Sequence, residues 1–210
     1  MPGPSLERRL ADGLAVLGLN LPEADRQRLI RYLELLSRWN RAYNLTAVRD
    51  PVEMVARHLL DSLSILPLLK GPRVLDVGTG AGLPGIPLAI AAPDWCFTLL
   101  DSNAKKTRFV HQVILELGIV NAEVLHVRVE EHRPEQPYDS VVTRAFASLS
   151  DILARTAHLV GVGGRWVAMQ GAVSIEGLEA LMPDAMRIHI VPLTVPQLKA
   201  ERHAVIVEVR

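Results

Sequence analysis

The chain lacks several features that would restrict where and how it works. It has one cysteine in 210 residues, so no internal disulfide can form. Cys96 lies between Trp95 and Phe97 in an apolar run, and we expect it to be buried. No apolar run reaches the roughly 18 residues that a membrane-spanning helix needs, and the N-terminus lacks the apolar core of a signal peptide. We therefore expect a cytoplasmic protein with no membrane segment.

Charge of neither sign is in excess, because 23 Lys and Arg residues balance 23 Asp and Glu residues. This balance argues weakly against a nucleic-acid partner, since domains that bind nucleic acids usually carry a basic surplus. The distribution is uneven, however. Seven arginines but no lysine and only three acidic residues lie between Arg26 and Arg57, and a second basic cluster follows Asp101. Each arginine alone fits a solvated helix face, whereas the set suits phosphate groups.

The spacing of apolar residues changes from helical to mixed after about residue 65. Three helices are predicted at 6–19, from Pro22 to about Tyr43 and at 51–69, the last with Asp50 as its N-cap. Beyond them, strands are predicted at 74–77, 97–100, 123–127, 139–143 and 165–169, with helices at 85–91, 103–117, 149–160 and 174–182. The last segments, 187–193 and 203–209, predict an antiparallel edge hairpin. The fold class is therefore α/β with a mostly parallel sheet.

Residues 74–90, VLDVGTGAGLPGIPLAI, predict a strand that turns sharply into a helix around a small ligand. The dinucleotide motif GxGxxG requires a glycine where this chain has Leu83, so the pattern is GxGxG, formed by Gly78, Gly80 and Gly82. Asp76 ends the strand, where it would repel a pyrophosphate but suits a positively charged ligand. GxGxG after an acid-terminated strand is the usual mark of S-adenosylmethionine binding. A glycine-rich turn without a ligand is the alternative.

Polar residues follow the neighbouring strands of the predicted sheet, and ligands of parallel sheets bind beyond these carboxyl ends. Asp101 ends the second strand and could accept hydrogen bonds from both ribose hydroxyls, although a helix cap is the alternative. Val129 and Glu130 follow the third strand, where a backbone amide and a carboxylate could meet an adenine edge. Arg144 and Phe146 follow the fourth.

Six sequence blocks resemble the bacterial 16S ribosomal RNA guanine-N7 methyltransferases, a family also called RsmG or glucose-inhibited division protein B. The blocks span nearly the whole chain: WNRAYNLTAVRDPVEM (39–54), RHLLDS (57–62), DVGTGAGLPGIPL (76–88), LLDSNAKKTRF (99–109), SVVTRAFASL (140–149) and ERHAVIV (201–207). The first two matter most, because GxGxG alone fits any class I methyltransferase. One position departs from the family pattern: Gln170 stands where family members typically have a lysine before glycine, so that cation is absent here.

The resemblance implies a Rossmann-like class I methyltransferase domain over residues 70–210, preceded by a helical segment over 1–69. It also implies methyl transfer from S-adenosylmethionine to N7 of one guanine in 16S ribosomal RNA, within the 30S subunit or its precursor, by a monomer. The implied cofactor contacts are Gly78, Gly80, Gly82, Leu83, Asp101, Val129, Glu130 and Arg144. The implied RNA contacts are Arg49, Arg57, His58, Lys105, Lys106 and Arg128, with Asn44 and Asp61 also on the substrate side.

No catalytic acid or base and no metal site is predicted. Guanine N7 offers a lone pair and carries no proton, so the enzyme has only to align and desolvate the reactants. Arg144 is a candidate for orienting the base or the cofactor, and Phe146 for packing against a flipped-out guanine. His58 and Asp61, three residues apart, are expected to make packing hydrogen bonds. The Trp39 and Tyr43 rings are expected to pack the helical segment against the sheet domain.

Two other functions stay open at this point. A class I methyltransferase acting on another RNA, a protein or a small molecule would share everything after Val74, but it would leave the arginine-rich helices unexplained. A non-catalytic RNA-binding or assembly factor would explain those helices, but the intact glycines and acidic residues of the loop count against it.

Overall fold

The computed structural model describes residues 5–144, 149–171 and 186–209. Within them lies a seven-stranded sheet with the order β3-β2-β1-β4-β5-β7-β6. The strands are β1 (Arg73–Val77), β2 (Cys96–Asp101), β3 (Ala122–His126), β4 (Tyr138–Thr143), β5 (Val160–Gln170), β6 (Met186–Pro192) and β7 (His203–Val209). The first five are parallel, and β7 pairs antiparallel with β5 and β6. The predicted fold class and edge hairpin are confirmed.

The helices of the described residues agree with most predicted positions. They are α1 (Leu6–Val16), α2 (Glu23–Tyr43), α3 (51–63), α4 (Gly85–Ala91), α5 (Ala104–Leu117) and α6 (Leu149–Thr156). Three predicted helices end early: α1 ends at Val16, and 3₁₀ turns follow α3 and α6 at Leu66–Leu68 and Ala157–Leu159. The predicted helix at 174–182, like Phe146, lies outside the described residues.

The third helix changes its winding along its length. The Asp50 carboxylate accepts a hydrogen bond of 2.9 Å from the amide of Val52, which is the predicted N-cap. The helix is α-helical over Pro51–Met54, π-helical over Val55–Leu60 and α-helical again over Asp61–Leu63. The sequence did not indicate the π-helical turn, which carries both Arg57 and His58. Such turns often occur at functional sites.

Aromatic side chains of α2 fasten the N-terminal helices to the sheet domain. The Trp39 ring stacks on Tyr43 with centroids 5.2 Å apart and tilts against Phe109 of α5 at 5.5 Å. This confirms the predicted packing of Trp39. Tyr32 is fully buried, and its hydroxyl donates a hydrogen bond of 2.8 Å to the carbonyl of Ala81. Because Ala81 lies in the glycine-rich turn, α2 braces that turn directly.

The prediction that Cys96 is buried is wrong, because its side chain is exposed. Cys96 begins β2, and successive strand residues point to opposite faces of the sheet. Phe97 therefore enters the core, whereas Cys96 shares with Thr98 an open depression near the amino ends of the strands. No helix in the described part of the chain is long and apolar enough to cross a membrane.

Candidate active site

The turn after β1 needs its glycines for two different reasons. Gly78, Gly80 and Gly82 have φ values of 70°, 60° and 89°, which side chains rarely adopt. A Cβ atom on Gly82 would also lie 2.6 Å from Cγ1 of Ile86, so this glycine permits close packing. A Cβ atom on Gly80 would meet only the carbonyl oxygen of Gly78, at 3.8 Å. Gly80 therefore keeps open the space in front of the turn.

The Asp76 carboxylate stabilises this turn through two hydrogen bonds. Its Oδ2 accepts hydrogen bonds from the Thr79 hydroxyl at 2.6 Å and from the Gly85 amide at 2.8 Å. Its Oδ1 is buried and has no partner among the described residues. Burial raises the pKa of Asp76 to about 6, against the lowering effect of the two hydrogen bonds. One oxygen thus shapes the turn, while the other is left for a further donor.

Asp101 makes contacts that join the second strand to the same turn. Its Oδ2 accepts from the Gly80 amide at 2.9 Å, and its Oδ1 accepts from the Asn103 amide at 2.8 Å. The ammonium group of Lys106 lies 3.8 Å from Oδ2. The helix cap that was the alternative for Asp101 is provided instead by Asn103, whose side chain accepts from the first amides of α5.

A cleft of about 120 Å³, the glycine-loop cleft, opens between the ends of β1, β2 and β3. It brings together four of the predicted cofactor residues: Gly78, Asp101, Val129 and Glu130. Arg128, predicted on the RNA side, lines this cleft as well, and Arg155 reaches Glu130 at 2.7 Å across its rim. Leu83 is buried in the core behind the turn and does not line this cleft.

A larger cleft of about 350 Å³, the arginine cleft, lies across β1 and β4 from the first. It is lined by Thr46, Val48, Arg57, His58, Asp61, Arg144, Met169, Gln170, Gly171 and Arg202. The N-terminal helices form one wall, and the ends of β4, β5 and β7 form the other. The two clefts lie on either side of the boundary between β1 and β4. The chain continues from β1 toward one edge of the sheet and from β4 toward the other, and α/β sheets bind ligands at such a topological switch point.

Asp61 lies at the base of the arginine cleft and is 3% exposed. Its Oδ2 is 3.2 Å from Nη1 of Arg144, and its Oδ1 is 3.0 Å from Nε of Arg202. Nη1 of Arg144 also donates to the carbonyl of Arg57 at 3.1 Å. Arg144, predicted as a cofactor contact, is thus placed on the arginine-cleft side of the switch point.

His58 makes a packing hydrogen bond, with Thr46 rather than with Asp61. Its Nε2 lies 3.0 Å from the Thr46 hydroxyl, and the buried Asn40 side chain holds both backbone groups of Thr46 at 2.9 Å. Burial, and then the positive charge of Arg144, lowers the pKa of His58 to about 4. The ring is therefore neutral at pH 7 and contributes no charge to the cleft.

The remaining predicted RNA residues lie on the surface. Arg49 and Lys105 are exposed, Lys106 is half-buried beside Asp101, and Arg57 forms an exposed pair with Glu53 at 3.3 Å. Arg202 and Thr46 were missed as site residues, although both lie in the resembling blocks. Neither follows a strand of the parallel sheet, so the rule that located Asp101 and Arg144 could not find them.

A family model described as rRNA small subunit methyltransferase G matches residues 25–206. The chain belongs to this family. A methyltransferase G of Pseudomonas aeruginosa (strain LESB58) is 55% identical over 200 residues, covering 94% of this chain and 92% of the relative. A methyltransferase G of Laribacter hongkongensis (strain HLHK9) is 48% identical over 201 residues, covering 96% and 97%. The predicted resemblance is confirmed.

Solved structures with little sequence similarity share the fold of this chain. A SAM-dependent O-methyltransferase from Thermotoga maritima is 14% identical, with a TM-score of 0.53 over 71% of this chain and 65% of that one. An rRNA methylase from Streptococcus thermophilus is 16% identical, with a TM-score of 0.51 over 71% and 94%. The chain is a methyltransferase with the class I, S-adenosylmethionine-dependent fold, as predicted.

Proposed function

We propose that this protein transfers the methyl group of S-adenosylmethionine to N7 of one guanine in 16S ribosomal RNA. The observation that carries the proposal is the pair of clefts at the β1/β4 switch point. The smaller cleft is lined by Gly78 and by Asp101 and Glu130, whose charges Arg128 and Arg155 balance, whereas the larger cleft is lined by three arginines and one acid. The positive surplus thus lies in the larger cleft, as expected for an anionic acceptor, while the smaller cleft presents carboxylates to the hydroxyl and amino groups of the methyl donor.

The residues around the glycine-loop cleft fit S-adenosylmethionine. Gly78 and Gly80 allow the ligand to approach the backbone, and Asp101 binds the ribose hydroxyls. Val129 and Glu130 face the adenine, while Gly82 and Leu83 shape the turn. The open space beside Gly80 and the unpartnered buried Oδ1 of Asp76 support this fit. When bound, the cofactor supplies an electrophilic methyl group on its sulfonium, and Arg144 lies on the arginine-cleft side of the switch point.

The arginine cleft is the acceptor side. Arg57 and Arg144 present guanidinium groups there, and exposed Arg49 and Lys105 and half-buried Lys106 offer further positive charge to flanking RNA. His58 acts by holding Thr46 and its loop in place. Arg128 lines the glycine-loop cleft, so it contacts RNA only from the cofactor side. Because N7 has no proton to remove, these residues align the guanine and exclude water, without a general base.

The substrate is 16S ribosomal RNA in the 30S subunit or its precursor, modified in the cytoplasm by a monomer. In this proposal residues 70–210 form the methyltransferase domain, and residues 1–69 form a helical segment that supplies one wall of the acceptor cleft. The position of Arg57, His58 and Asp61 on that wall supports this division.

The test is transfer of radiolabel from S-adenosylmethionine to purified 16S RNA, to 30S particles and to a panel of proteins and small acceptors. We expect label only in RNA, and mass mapping should place it on one guanine as 7-methylguanine. Label in a protein or small acceptor and none in RNA would refute the proposal.

A further inference from the structure

Asp61 joins two arginines that are far apart in the chain. Arg144 follows β4 and Arg202 precedes β7, and each points one guanidinium nitrogen at a different carboxylate oxygen of Asp61. The carboxylate is 3% exposed, whereas the side chains of Arg144 and Arg202 are 26% and 24% exposed. The acid is therefore enclosed, and the outer parts of both guanidinium groups reach the cleft.

The arginine cleft has a positive surplus that this pairing leaves in place. Among its lining residues, three are arginines and Asp61 is the one acid, while His58 is neutral at pH 7. The lining residues thus carry two positive charges in excess, of which one, on Arg57, faces the exposed carboxylate of Glu53 outside the cleft. The two walls also carry the apolar side chains of Val48 and Met169, which offer surfaces for a base beside the charged region.

Arg202 is held in one orientation, with one edge turned away from its anchors. Its Nε donates to Asp61, and its Nη1 donates to the carbonyl of Glu201 at 3.1 Å. Its Nη2 has no partner among the residues that the structure describes. Because the side chain is already ordered by Asp61, less conformational entropy is lost when an anion binds. A planar guanidinium with a free edge matches the geometry of a phosphate.

We infer that Arg202 is an RNA contact of the acceptor site and binds a phosphodiester group next to the target nucleotide, with Asp61 as its positioning residue. The inference rests on the proposed function and adds a residue that belongs to the acceptor cleft alone. Arg202 lines the arginine cleft and does not line the glycine-loop cleft. Its loss should therefore affect RNA and leave the methyl donor unaffected.

The experiment compares Arg202→Gln and Arg202→Lys with the control Arg187→Gln. Arg187 is exposed on β6 and pairs in register with Glu208, at the far end of the hairpin from Arg202. Methylation rates are measured against RNA concentration at several salt concentrations, and S-adenosylmethionine affinity is measured by calorimetry. For Arg202→Gln we expect KM for RNA to rise about tenfold, with kcat nearly unchanged and the salt slope reduced by about one.

Arg202→Lys should recover part of the loss, and Arg187→Gln should behave as wild type in every assay. Asp61→Asn should raise KM in the same way, and in the double variant the two losses should not add. The inference is overturned if Arg202→Gln keeps the KM and salt slope of the wild type, or if it weakens cofactor binding instead. An active wild type with an unaffected Arg202→Gln refutes this inference alone, whereas a wild type that neither binds nor methylates RNA refutes the proposed function as well.

Discussion

The two clefts are built in different ways, although they flank the same pair of strands. Contacts around the glycine-loop cleft span moderate distances in sequence, 21 positions from Gly80 to Asp101 and 25 from Glu130 to Arg155. Contacts of the arginine cleft join Asp61 to residues 83 and 141 positions away. The proposed methyl-donor site is therefore encoded between Val77 and Arg155, whereas the proposed acceptor site depends on residues from both ends of the chain.

The buried ionisable groups of the two clefts also respond oppositely to pH. Burial raises the pKa of Asp76 and lowers that of His58, so both groups favour their neutral forms. An acid with a raised pKa destabilises the folded state as pH rises, and a base with a lowered pKa does so as pH falls. The two effects oppose each other between about pH 4 and pH 6.5.

The largest expected effect separates the donor cleft from the acceptor cleft. Gly80→Val should lower S-adenosylmethionine affinity by about 100-fold or more, equivalent to about 3 kcal/mol, because the new side chain fills the open space beside the turn. RNA binding should persist. Calorimetric titration with the cofactor, together with an RNA filter-binding assay, checks both expectations.

Gly118→Val is the matched control for this variant. Gly118 has a φ of 61°, close to the 60° of Gly80, and a Cβ atom there would meet nothing within 4 Å. It caps α5 away from both clefts, so it should reproduce the backbone strain without the loss of affinity. Equal cofactor affinity in the two variants would show that the turn is not part of the cofactor site.

The pH responses are separable with Asp76→Asn and His58→Gln. The folded pKa of Asp76 is about 6 against 3.8 as the ordinary value, so its stabilising contribution is complete below pH 3.8 and is lost as pH rises through 6. The folded pKa of His58 is about 4 against 6.5, so its contribution is present above pH 6.5 and is lost as pH falls toward 4.

Each contribution should be on the order of 2–3 kcal/mol in the free energy of unfolding. Relative to wild type, Asp76→Asn should lose stability more steeply on acidification, and His58→Gln should lose it more steeply on alkalinisation through the same window. Urea unfolding from pH 4 to pH 7 measures both slopes. Parallel curves for all three proteins would contradict the opposed titrations.

A smaller effect tests the brace between α2 and the glycine turn. Tyr32→Phe leaves the Ala81 carbonyl without its 2.8 Å hydrogen bond and should lower the free energy of unfolding by about 1–2 kcal/mol. It should also weaken cofactor binding a few-fold, because the turn loses an anchor. The control is Tyr138→Phe, which removes a buried hydroxyl bonded to His132, remote from the turn. If both variants weaken cofactor binding equally, the brace has no specific role.

The smallest expected effect concerns a single charge on the acceptor side. Arg57→Ala should weaken RNA binding by roughly 0.5–1 kcal/mol and reduce the salt slope by about one, since its pair with Glu53 is exposed. Arg28→Ala is the control, because Arg28 is equally exposed and pairs with Asp25 on the same kind of helical surface, but lines neither cleft. Identical salt slopes in the two variants would show that Arg57 is an ordinary solvent-exposed residue that does not contact RNA.

Features determined by local sequence were predicted, whereas features that depend on the assembled fold were not. The strand ends, the glycine turn and the edge hairpin were predictable because local spacing determines them. The exposure of Cys96 was not, because it depends on which strand residue faces the core. The approach of Arg202 to Asp61 was also out of reach, since only the assembled sheet brings those two segments together. The π-helical turn of α3 was missed because the spacing of apolar residues there is the same as in an ordinary helix.

The ion pairs of Asp61 with Arg144 and Arg202 determine which cleft can form first during translation. Every residue that lines the glycine-loop cleft lies between Val77 and Arg155, whereas the arginine cleft needs Arg202. During synthesis the chain therefore contains all of its proposed donor site well before its acceptor wall can close. A nascent chain that still lacks the C-terminal hairpin has an incomplete acceptor cleft. Under this proposal, the ability to bind RNA is therefore the last property that translation supplies.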